Sequence, residues 1–187
     1  MFDKTHFFEK LYFHELDRKQ SIESNFSLPT GIIAGLLGLI GYFFTHFRFG
    51  GREYPYSFVV ELVFLIAAAI SFVVLVTAAW WCARAVMGSA YEHLPGAETM
   101  LKYLIDLQNW HLTSKSRNPQ QSAASDFEEF LISSFARCSQ INWKTNLVRS
   151  EELFRTKRAT VWALFSLAVT AGSYYIDFWY DPPPVVH

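Results

Sequence analysis

The 187-residue sequence has little charge, because Asp, Glu, Lys and Arg make up only 18% of it, below the roughly 25% of soluble domains. Its two cysteines, Cys82 and Cys138, are too few and too far apart for a disulfide framework or a zinc site, so we expect free thiols. The six histidines show no metal-ligand spacing, and there is no phosphate-binding glycine loop. No acid, histidine and nucleophile converge by sequence. We therefore predict no metal, no cofactor, no nucleic-acid partner and no enzyme.

Charged residues are nearly absent from three long apolar runs, which cover residues 28–47, 57 to about 83, and 159–176. A backbone in lipid must satisfy its own hydrogen bonds, so runs of this length are expected to be helices that span a bilayer. The first two are too long and too uniformly apolar for a buried core helix. The third is short enough that a core helix, leaving two spans, is the alternative. We predict no cleavable signal peptide, since the first 27 residues are polar and no small-residue cleavage site follows.

The basic residues predict the orientation of the spans. Of the 16 Lys and Arg residues, only Arg48 and Arg52 lie between the first two runs, and none follows Arg158. Because basic residues concentrate on the cytoplasmic side, the N-terminus is predicted to be cytoplasmic and the C-terminus external. Aromatic residues agree with this. An outer group and an inner group are expected at the two interfaces: Tyr42, Tyr54, Tyr56, Tyr174, Tyr175, Trp179 and Tyr180 outside; Trp80, Trp81 and Trp162 inside.

These observations predict an all-α integral membrane protein with three transmembrane helices. A cytoplasmic helical domain separates the second and third spans, and an amphipathic cytoplasmic helix precedes the first. The expected segments, in chain order, are the amphipathic helix 1–27, the first span 28–47, an external loop 48–56, the second span 57–84, the cytoplasmic domain 85–158 with a mobile loop 113–125, the third span 159–177 and an external tail 178–187.

The N-terminal segment predicts a helix over residues 5–25, because Phe7, Phe8, Leu11, Tyr12 and Leu16 recur at helical spacing. Such a helix either lies along the inner leaflet or packs on other cytoplasmic helices. Its acids match its bases, which favours packing.

Capping signals predict the remaining helix ends. Ser27 is expected to cap the first span, and the second helix is expected to continue to about His93. A helix at 97–112 should be buried on two sides because its apolar residues cover more than one face. A capping box formed by Ser125 and Glu128 predicts a further helix that begins at Ser125. That helix either continues through the third span or breaks near residue 146 or 150.

Four glycines fall within a narrow strip of the first span: Gly31, Gly35, Gly38 and Gly41. Steps of four, three and three residues nearly complete whole helical turns, so these residues share one side of the helix. Small residues let transmembrane helices approach closely. The strip therefore predicts either self-association, which would place it around a pore, or packing against the second span of the same chain.

Charged residues at the membrane boundary supply the other candidates. Glu61 is the acid within a predicted span and a candidate for an ion path, although it lies near enough to the outer interface to reach water. Four basic residues precede the third span: Arg149, Arg155, Lys157 and Arg158. They are interpreted either as an orientation signal bound to lipid headgroups or as a site for a phosphate-bearing ligand.

In its plan the chain resembles the small membrane effectors of bacterial conflict systems, in particular SLATT-type domains associated with nucleotide second messengers. The residues that carry this resemblance are the charged helix HELDRKQSIESNFSLP and the glycine-rich span GIIAGLLGLIGYFF, followed by a second span and cytoplasmic helices. That family typically has two spans, whereas three are predicted here. The resemblance implies an oligomer in the bacterial inner membrane that opens or disrupts it, in antiviral defence, when a partner protein or a cyclic nucleotide signals.

Two functions of different classes follow. The first is a homo-oligomeric, gated pore-forming or membrane-perturbing effector. The alternative is a non-conducting membrane anchor that recruits a soluble partner protein through its cytoplasmic helices.

Overall fold

The computed structural model describes residues 2–49, 57–87 and 90–180. Within these residues it contains five helices: α1 (Lys4–Ser24), α2 (Ser27–His46), α3 (Ser57–Met87), α4 (Ala97–Thr113) and α5 (Pro119–Tyr180). The all-α prediction is thus confirmed for the described part of the chain. The predicted outer-loop residues 50–56 and tail residues 181–187 lie outside the described residues.

Three helical stretches are long and apolar enough to cross a membrane. They are Lys4–His46, in which only a two-residue turn separates α1 from α2, and the single helices α3 and α5. The predicted runs 57–83 and 159–176 lie within these stretches, and so does the run 28–47 except for Phe47, which follows the end of α2. Helix α5 is continuous over 62 residues, so neither of the breaks considered from the sequence, near residue 146 or 150, occurs.

The chain divides into two compact units, of which the first comprises Met1–Ile22 and Ser89–Val148. Its apolar centre consists of Tyr12 from α1 and of Phe135 and Cys138 from α5, with partly buried side chains around them: Phe8, Leu16, Leu94 and Leu131. The prediction that α1 packs on other helices is supported by this contact. Phe7 and Leu11, expected on the same apolar face, are exposed.

Two buried asparagines of α5 hold neighbouring segments of this unit. The side-chain amide of Asn142 donates to the Glu92 carbonyl oxygen (3.0 Å) and accepts from the Glu92 backbone N–H (2.9 Å). Asn146 Nδ2 donates to the backbone oxygen and to Oε2 of Glu15, both at 2.8 Å. The Tyr91 hydroxyl donates to Asn146 Oδ1 (2.5 Å). These bonds fix both α1 and the segment after α3 against α5.

The same bonds explain one wrong prediction. Helix α3 ends at Met87 and does not reach His93. The backbone of Glu92 bonds to the Asn142 side chain, and these groups would otherwise serve an α-helical ladder. A tertiary contact has therefore replaced the local helical preference of this segment.

The predicted mobile loop 113–125 and the capping box at Ser125 are also wrong. Helix α5 begins at Pro119, and only residues 114–118 separate it from α4. Proline suits a first helical turn because it lacks the N–H that would have no partner there. The Asn118 carbonyl accepts from the Ser122 N–H (3.0 Å), and Ala123 is fully buried, so packing stabilises the first turns.

Helix α4 matches its predicted bounds but not its predicted burial. One side packs on α5, where the ring centroids of Tyr103 and Phe130 are 4.7 Å apart and the ring planes are tilted by 49°. Leu101, Ile105 and Leu112 are 58%, 46% and 62% exposed. Their spacing places them on one face. The expectation of burial on two sides is therefore wrong, and an apolar stripe is left uncovered.

The second unit comprises Glu23–Gly88 and Arg149–His187, and it is a bundle of α2, α3 and the second half of α5. Its core combines large residues of α2 with leucines and alanines of the other two helices: Ile33, Leu36, Ile40, Leu75, Ala78, Ala159, Ala163 and Leu167. The Ser166 hydroxyl donates to the Ala67 carbonyl (2.9 Å), while Arg149 Nε donates to the Ala85 carbonyl (2.9 Å). As residue numbers rise on α5 they fall on α3, so these helices are antiparallel.

Beside this apolar core, helix α5 buries hydroxyl groups and exposes large apolar side chains. Thr156, Thr160 and Thr170 are buried, and each hydroxyl donates to the carbonyl four residues earlier in its own helix. Leu164 and Phe165 are 45% and 64% exposed. This arrangement is expected where the surroundings are hydrocarbon and polar groups must bond internally.

The entry into α2 differs from the predicted cap. Phe26, and not Ser27, precedes the helix, and it keeps helical backbone angles without a side-chain cap. The Ser27 hydroxyl instead donates backward to the Ser24 carbonyl (3.1 Å). Because the chain hardly leaves the helical conformation between α1 and α2, no cap is required there.

Candidate functional site

The glycine strip lies on the outer side of its bundle. Gly31, Gly35, Gly38 and Gly41 are exposed, and no described atom outside their own helical neighbourhood lies within 4 Å of a Cβ built at any of them. The buried residues of α2 are Pro29, Ile33, Leu36 and Ile40, on the opposite side of the helix. Of the two interpretations of the strip, close packing against the second span of the same chain is not what this geometry shows.

An apolar groove lies beside this strip, between α2 and α3. Its volume is about 570 Å³, and Gly41 belongs to its lining together with eight other residues: Leu37, Ile40, Phe44, Thr45, Leu65, Ala68, Ala69 and Phe72. The Thr45 hydroxyl bonds to carbonyl oxygens of its own helix. The groove thus continues the glycine surface without adding a polar group that needs a partner.

The two acids of the spans lie towards one end of the bundle. Glu61 is half-buried near the start of α3, and Asp177 is buried near the end of α5. Because α3 and α5 are antiparallel, both residues lie on the same side of the Ser166–Ala67 hydrogen bond. This end also carries the contact between the Tyr42 and Tyr174 rings, whose centroids are 6.4 Å apart.

Arg149 is set apart from the other basic candidates by its burial. Its side chain is 4% exposed. Nη1 donates to Glu23 Oε1 (3.2 Å), Nε donates to the Ala85 carbonyl, and the guanidinium lies 5.9 Å from the centroid of the Phe26 ring. A guanidinium surrounded in this way stabilises the junction of α1, α3 and α5, and its donors are directed at the protein.

The other three basic residues are exposed but do not share one side of α5. Arg155 and Arg158 line a groove against α3. Lys157 lies about 150° around the helix from that groove, by the 100° that each α-helical residue turns. Arg155 also pairs with Glu151 at 2.6 Å on the surface. The structure thus joins two of the four predicted residues and separates the other two from them.

A serine, a histidine and an aspartate meet at the turn between α4 and α5. His111 Nδ1 lies 3.0 Å from Ser116 Oγ, and Nε2 lies 2.8 Å from Asp126 Oδ2. The sequence alone did not indicate this cluster, because Asp126 is 15 residues from His111 and the two side chains meet only in the folded chain.

The contacts among Ser116, His111 and Asp126 stabilise the turn between α4 and α5. The Ser116 N–H donates to the His111 carbonyl (3.2 Å), and Lys115 between them has a positive φ of 51°. His111 is buried, while the Asp126 side chain is 47% exposed. The imidazole therefore bonds both to Ser116 in the turn after α4 and to Asp126 in the N-terminal part of α5. This role accounts for all three contacts without catalysis.

Cys138 is buried in the apolar centre of the first unit. Burial raises the pKa of its thiol above the ordinary value of 9.0, the negative charge of Glu92 adds to the rise, and Arg137 opposes it. This thiol is thus kept protonated and is a poor nucleophile.

Among the described residues, no group of three or more His, Cys, Asp and Glu side chains is arranged to hold a metal ion. Comparison of the chain with protein-family models, with curated proteins and with solved structures finds no match.

Proposed function

We propose that this protein is a multi-pass membrane effector that self-associates and forms a gated pore or otherwise perturbs the bilayer. The proposal includes the predicted orientation, with a cytoplasmic N-terminus and an external C-terminus in a bacterial inner membrane, and a role in antiviral defence. The trigger would act through the cytoplasmic helices, as a partner protein or a nucleotide messenger. A cysteine placed at Val185 should then react with an impermeant reagent from outside intact cells, and protection would reject this orientation.

The outward glycine strip is the observation that carries the proposal. Within one chain, the face of α2 that is best suited to close helix approach has no described neighbour. A second copy of the same helix is the simplest partner for such a face, because small residues allow backbones to approach and so gain packing contacts. The adjacent groove of about 570 Å³ extends the surface available to that copy.

Substitution of Gly35 with Leu tests self-association. Because no described atom lies within 4 Å of a Cβ at this position, the single chain should accept the larger side chain, while the approach of a second copy should be blocked. We expect wild type to run as an oligomer in detergent by mass measurement, and Gly35→Leu to run as a monomer with an unchanged melting temperature. Leu39→Phe, which adds bulk elsewhere on the exposed part of α2, should remain oligomeric.

Leakage from liposomes then tests the activity. Wild type should release an entrapped dye, with its trigger present if one is required, and Gly35→Leu should not. An oligomer of unchanged mass in Gly35→Leu would reject the glycine interface. Intact liposomes with oligomeric wild type, together with an undisturbed membrane potential in cells that overexpress it, would reject the pore.

The uncovered stripe of α4 favours the alternative function, a non-conducting anchor for a soluble protein. Leu101, Ile105 and Leu112 lie outside the candidate spans, where exposed apolar residues on one face are typical of a binding surface. In that case a soluble protein should copurify with the wild-type chain, and Ile105→Lys should release it. Neither wild type nor Ile105→Lys should make liposomes leak.

A further inference from the structure

A second groove lies between α3 and α5, at the end of the bundle where α5 enters it. Its volume is about 380 Å³. Val74, Thr77 and Trp81 form the wall from α3, and the wall from α5 contains Arg155, Arg158, Ala159 and Trp162. All seven residues belong to the second unit.

This groove is cationic at one end and apolar at the other. Arg155 and Arg158 precede Trp162 by seven and four residues, which corresponds to about 10 and 6 Å along the helix axis. On the antiparallel α3, Val74 lies at the Trp162 end. The Thr77 hydroxyl donates to the Val73 carbonyl (2.8 Å), so it offers no proton to the groove. Hydrogen-bond donors for a ligand are thus concentrated at the arginines.

The arginines can hold a phosphate group. A guanidinium presents several N–H donors in a planar fork that matches two phosphate oxygens. The positive charge of two such groups more than balances the single negative charge of a phosphodiester. The Arg155–Glu151 pair is on the surface, where an ion pair contributes little stability, so it does not prevent Arg155 from turning to a phosphate.

The rest of the groove fits the upper part of an acyl chain. Indole rings favour the interface between headgroups and hydrocarbon, and here Trp162 lies at the step from the arginines to the apolar wall, while Trp81 of α3 lies at the arginine end. Beyond Trp162 the exposed surface of α5 is apolar, with Phe165 and Val169 both more than half exposed. An amphiphile whose head lies at the arginines would therefore lay its tail along this helix.

We propose that this groove binds one anionic phospholipid, with its phosphate held by Arg155 and Arg158 and its first acyl segment against Trp162 and Val74. The volume of about 380 Å³ suits a headgroup and the first part of one chain. The site is independent of whether the protein conducts, because it requires only that α3 and α5 lie in a bilayer.

Lys157 provides a matched control for charge. It is exposed, lies between the two arginines in sequence, and therefore has the same depth along α5, but it is on a different side of the helix from the groove. A general attraction of anionic lipid to basic residues would weaken equally when any of the three charges is removed. If the lipid binds in the groove, its affinity should fall only when Arg155 or Arg158 is replaced.

Retention of lipid by the purified full-length protein tests the proposal. Wild type in detergent is mixed with palmitoyl-oleoyl phosphatidylglycerol or with the corresponding phosphatidylcholine, and bound lipid is counted by native mass spectrometry. We expect one phosphatidylglycerol per chain, at least tenfold preferred over phosphatidylcholine. Arg155→Gln and Arg158→Gln should each reduce its affinity about tenfold or more, as the loss of charge-assisted hydrogen bonds predicts, and Lys157→Gln by less than about twofold.

The mode of binding is tested by two further arms. Arg158→Lys keeps the charge but loses the planar fork, so it should bind more weakly than wild type. Inorganic phosphate at millimolar concentration should not displace the lipid if the acyl chain contributes, and displacement would assign the site to free phosphate instead. Equal retention of both lipids, or equal losses in Lys157→Gln and the arginine variants, would overturn the proposal.

A second measurement covers the case in which a variant fails to fold. In wild type, bromine atoms on the upper acyl chain of phosphatidylglycerol should quench the fluorescence of Trp162. The effect is measured as the difference between wild type and Trp162→Phe. No difference between these two proteins, with both shown to be helical by circular dichroism, would reject the groove as the binding place.

Discussion

The two halves of helix α5 have similar inner faces and different outer faces. Residues 119–148 bury Asn142 and Asn146, and residues 149–180 bury Thr156, Thr160 and Thr170. Outward, the first half exposes charged residues such as Glu128, Arg137 and Lys144. In the second half, exposed charged residues end at Arg158, and between Ala159 and Tyr180 the one charged residue, Asp177, is buried. The outer face therefore identifies the surroundings of each half, while a polar inner face occurs in both.

The inner faces differ in how their polar groups are bonded. The asparagines bond to other segments of the chain, at Glu15, Tyr91 and Glu92. The threonines bond to carbonyl groups of their own helix. In the first half, polar contacts thus specify which segments meet. In the second half, the threonine hydroxyls are satisfied locally, and apolar packing joins the segments together with the Ser166–Ala67 and Arg149–Ala85 hydrogen bonds.

The largest expected effect comes from changing this bonding in the first half. Asn146→Leu removes three hydrogen bonds of the Asn146 side chain, to the Glu15 carboxylate, the Glu15 carbonyl and the Tyr91 hydroxyl. It should lower the free energy of unfolding by about 3–5 kcal/mol, because each bond contributes about 0.5–1.5 kcal/mol and a bond to a charged group about 1.5–3 kcal/mol.

Thr156→Val is the matched change in the second half, since both positions are fully buried. It removes only a bond to the Glu152 carbonyl, so we expect a loss below about 1 kcal/mol. Titration with SDS in mixed micelles measures both values. Losses of equal size would show that the two inner faces do not differ as described.

The next effect concerns the outer faces. Leu164→Arg places a charge on the exposed, apolar side of the second half, and at the centre of a membrane span this costs about 2.5–3.5 kcal/mol. In the SDS titration, Leu164→Arg should lower the free energy of unfolding by about this amount, whereas Gln140→Arg, on the exposed side of the first half, should leave it nearly unchanged. Equal losses for the two variants would argue against a third span.

The smallest effect concerns Cys138 in the first half. Because its pKa is raised in the folded state, the folded protein favours the protonated thiol, and this contribution to stability is complete below pH 9.0 and decreases as the pH rises through the folded pKa. We expect slow alkylation by iodoacetamide at pH 8 in the native protein and rapid alkylation after unfolding in SDS. Equal rates in the two states would show that this thiol is not protected.

Much of the fold followed from local composition. The three apolar runs coincide, to within one residue, with parts of helices long and apolar enough to span a bilayer, and α4 ends within one residue of its prediction. Segments whose conformation depends on distant partners were predicted wrongly. The chain after Met87 is held by Asn142, some 50 residues later, and no pattern near Glu92 reports that bond.

The candidate site shows the same division. The sequence identified the glycines and the basic residues, because helical spacing and charge are visible in one dimension. It did not show that Arg149 is buried against Glu23, that Arg155 and Arg158 line a groove with Trp81, or that Ser116, His111 and Asp126 meet. Each of these contacts joins residues whose proximity is set by how the helices pack.

The sequence by itself therefore determined that this is a helical chain with three stretches able to span a membrane, because hydrocarbon requires long apolar helices whatever their neighbours are. Only the tertiary structure decided which face of each helix is inside. It turned Ile33, Leu36 and Ile40 towards the core and left the glycines outside, because the large side chains of α2 pack against the leucines and alanines that α3 and α5 contribute to the core. The surface on which the proposed oligomer depends is the result of that packing.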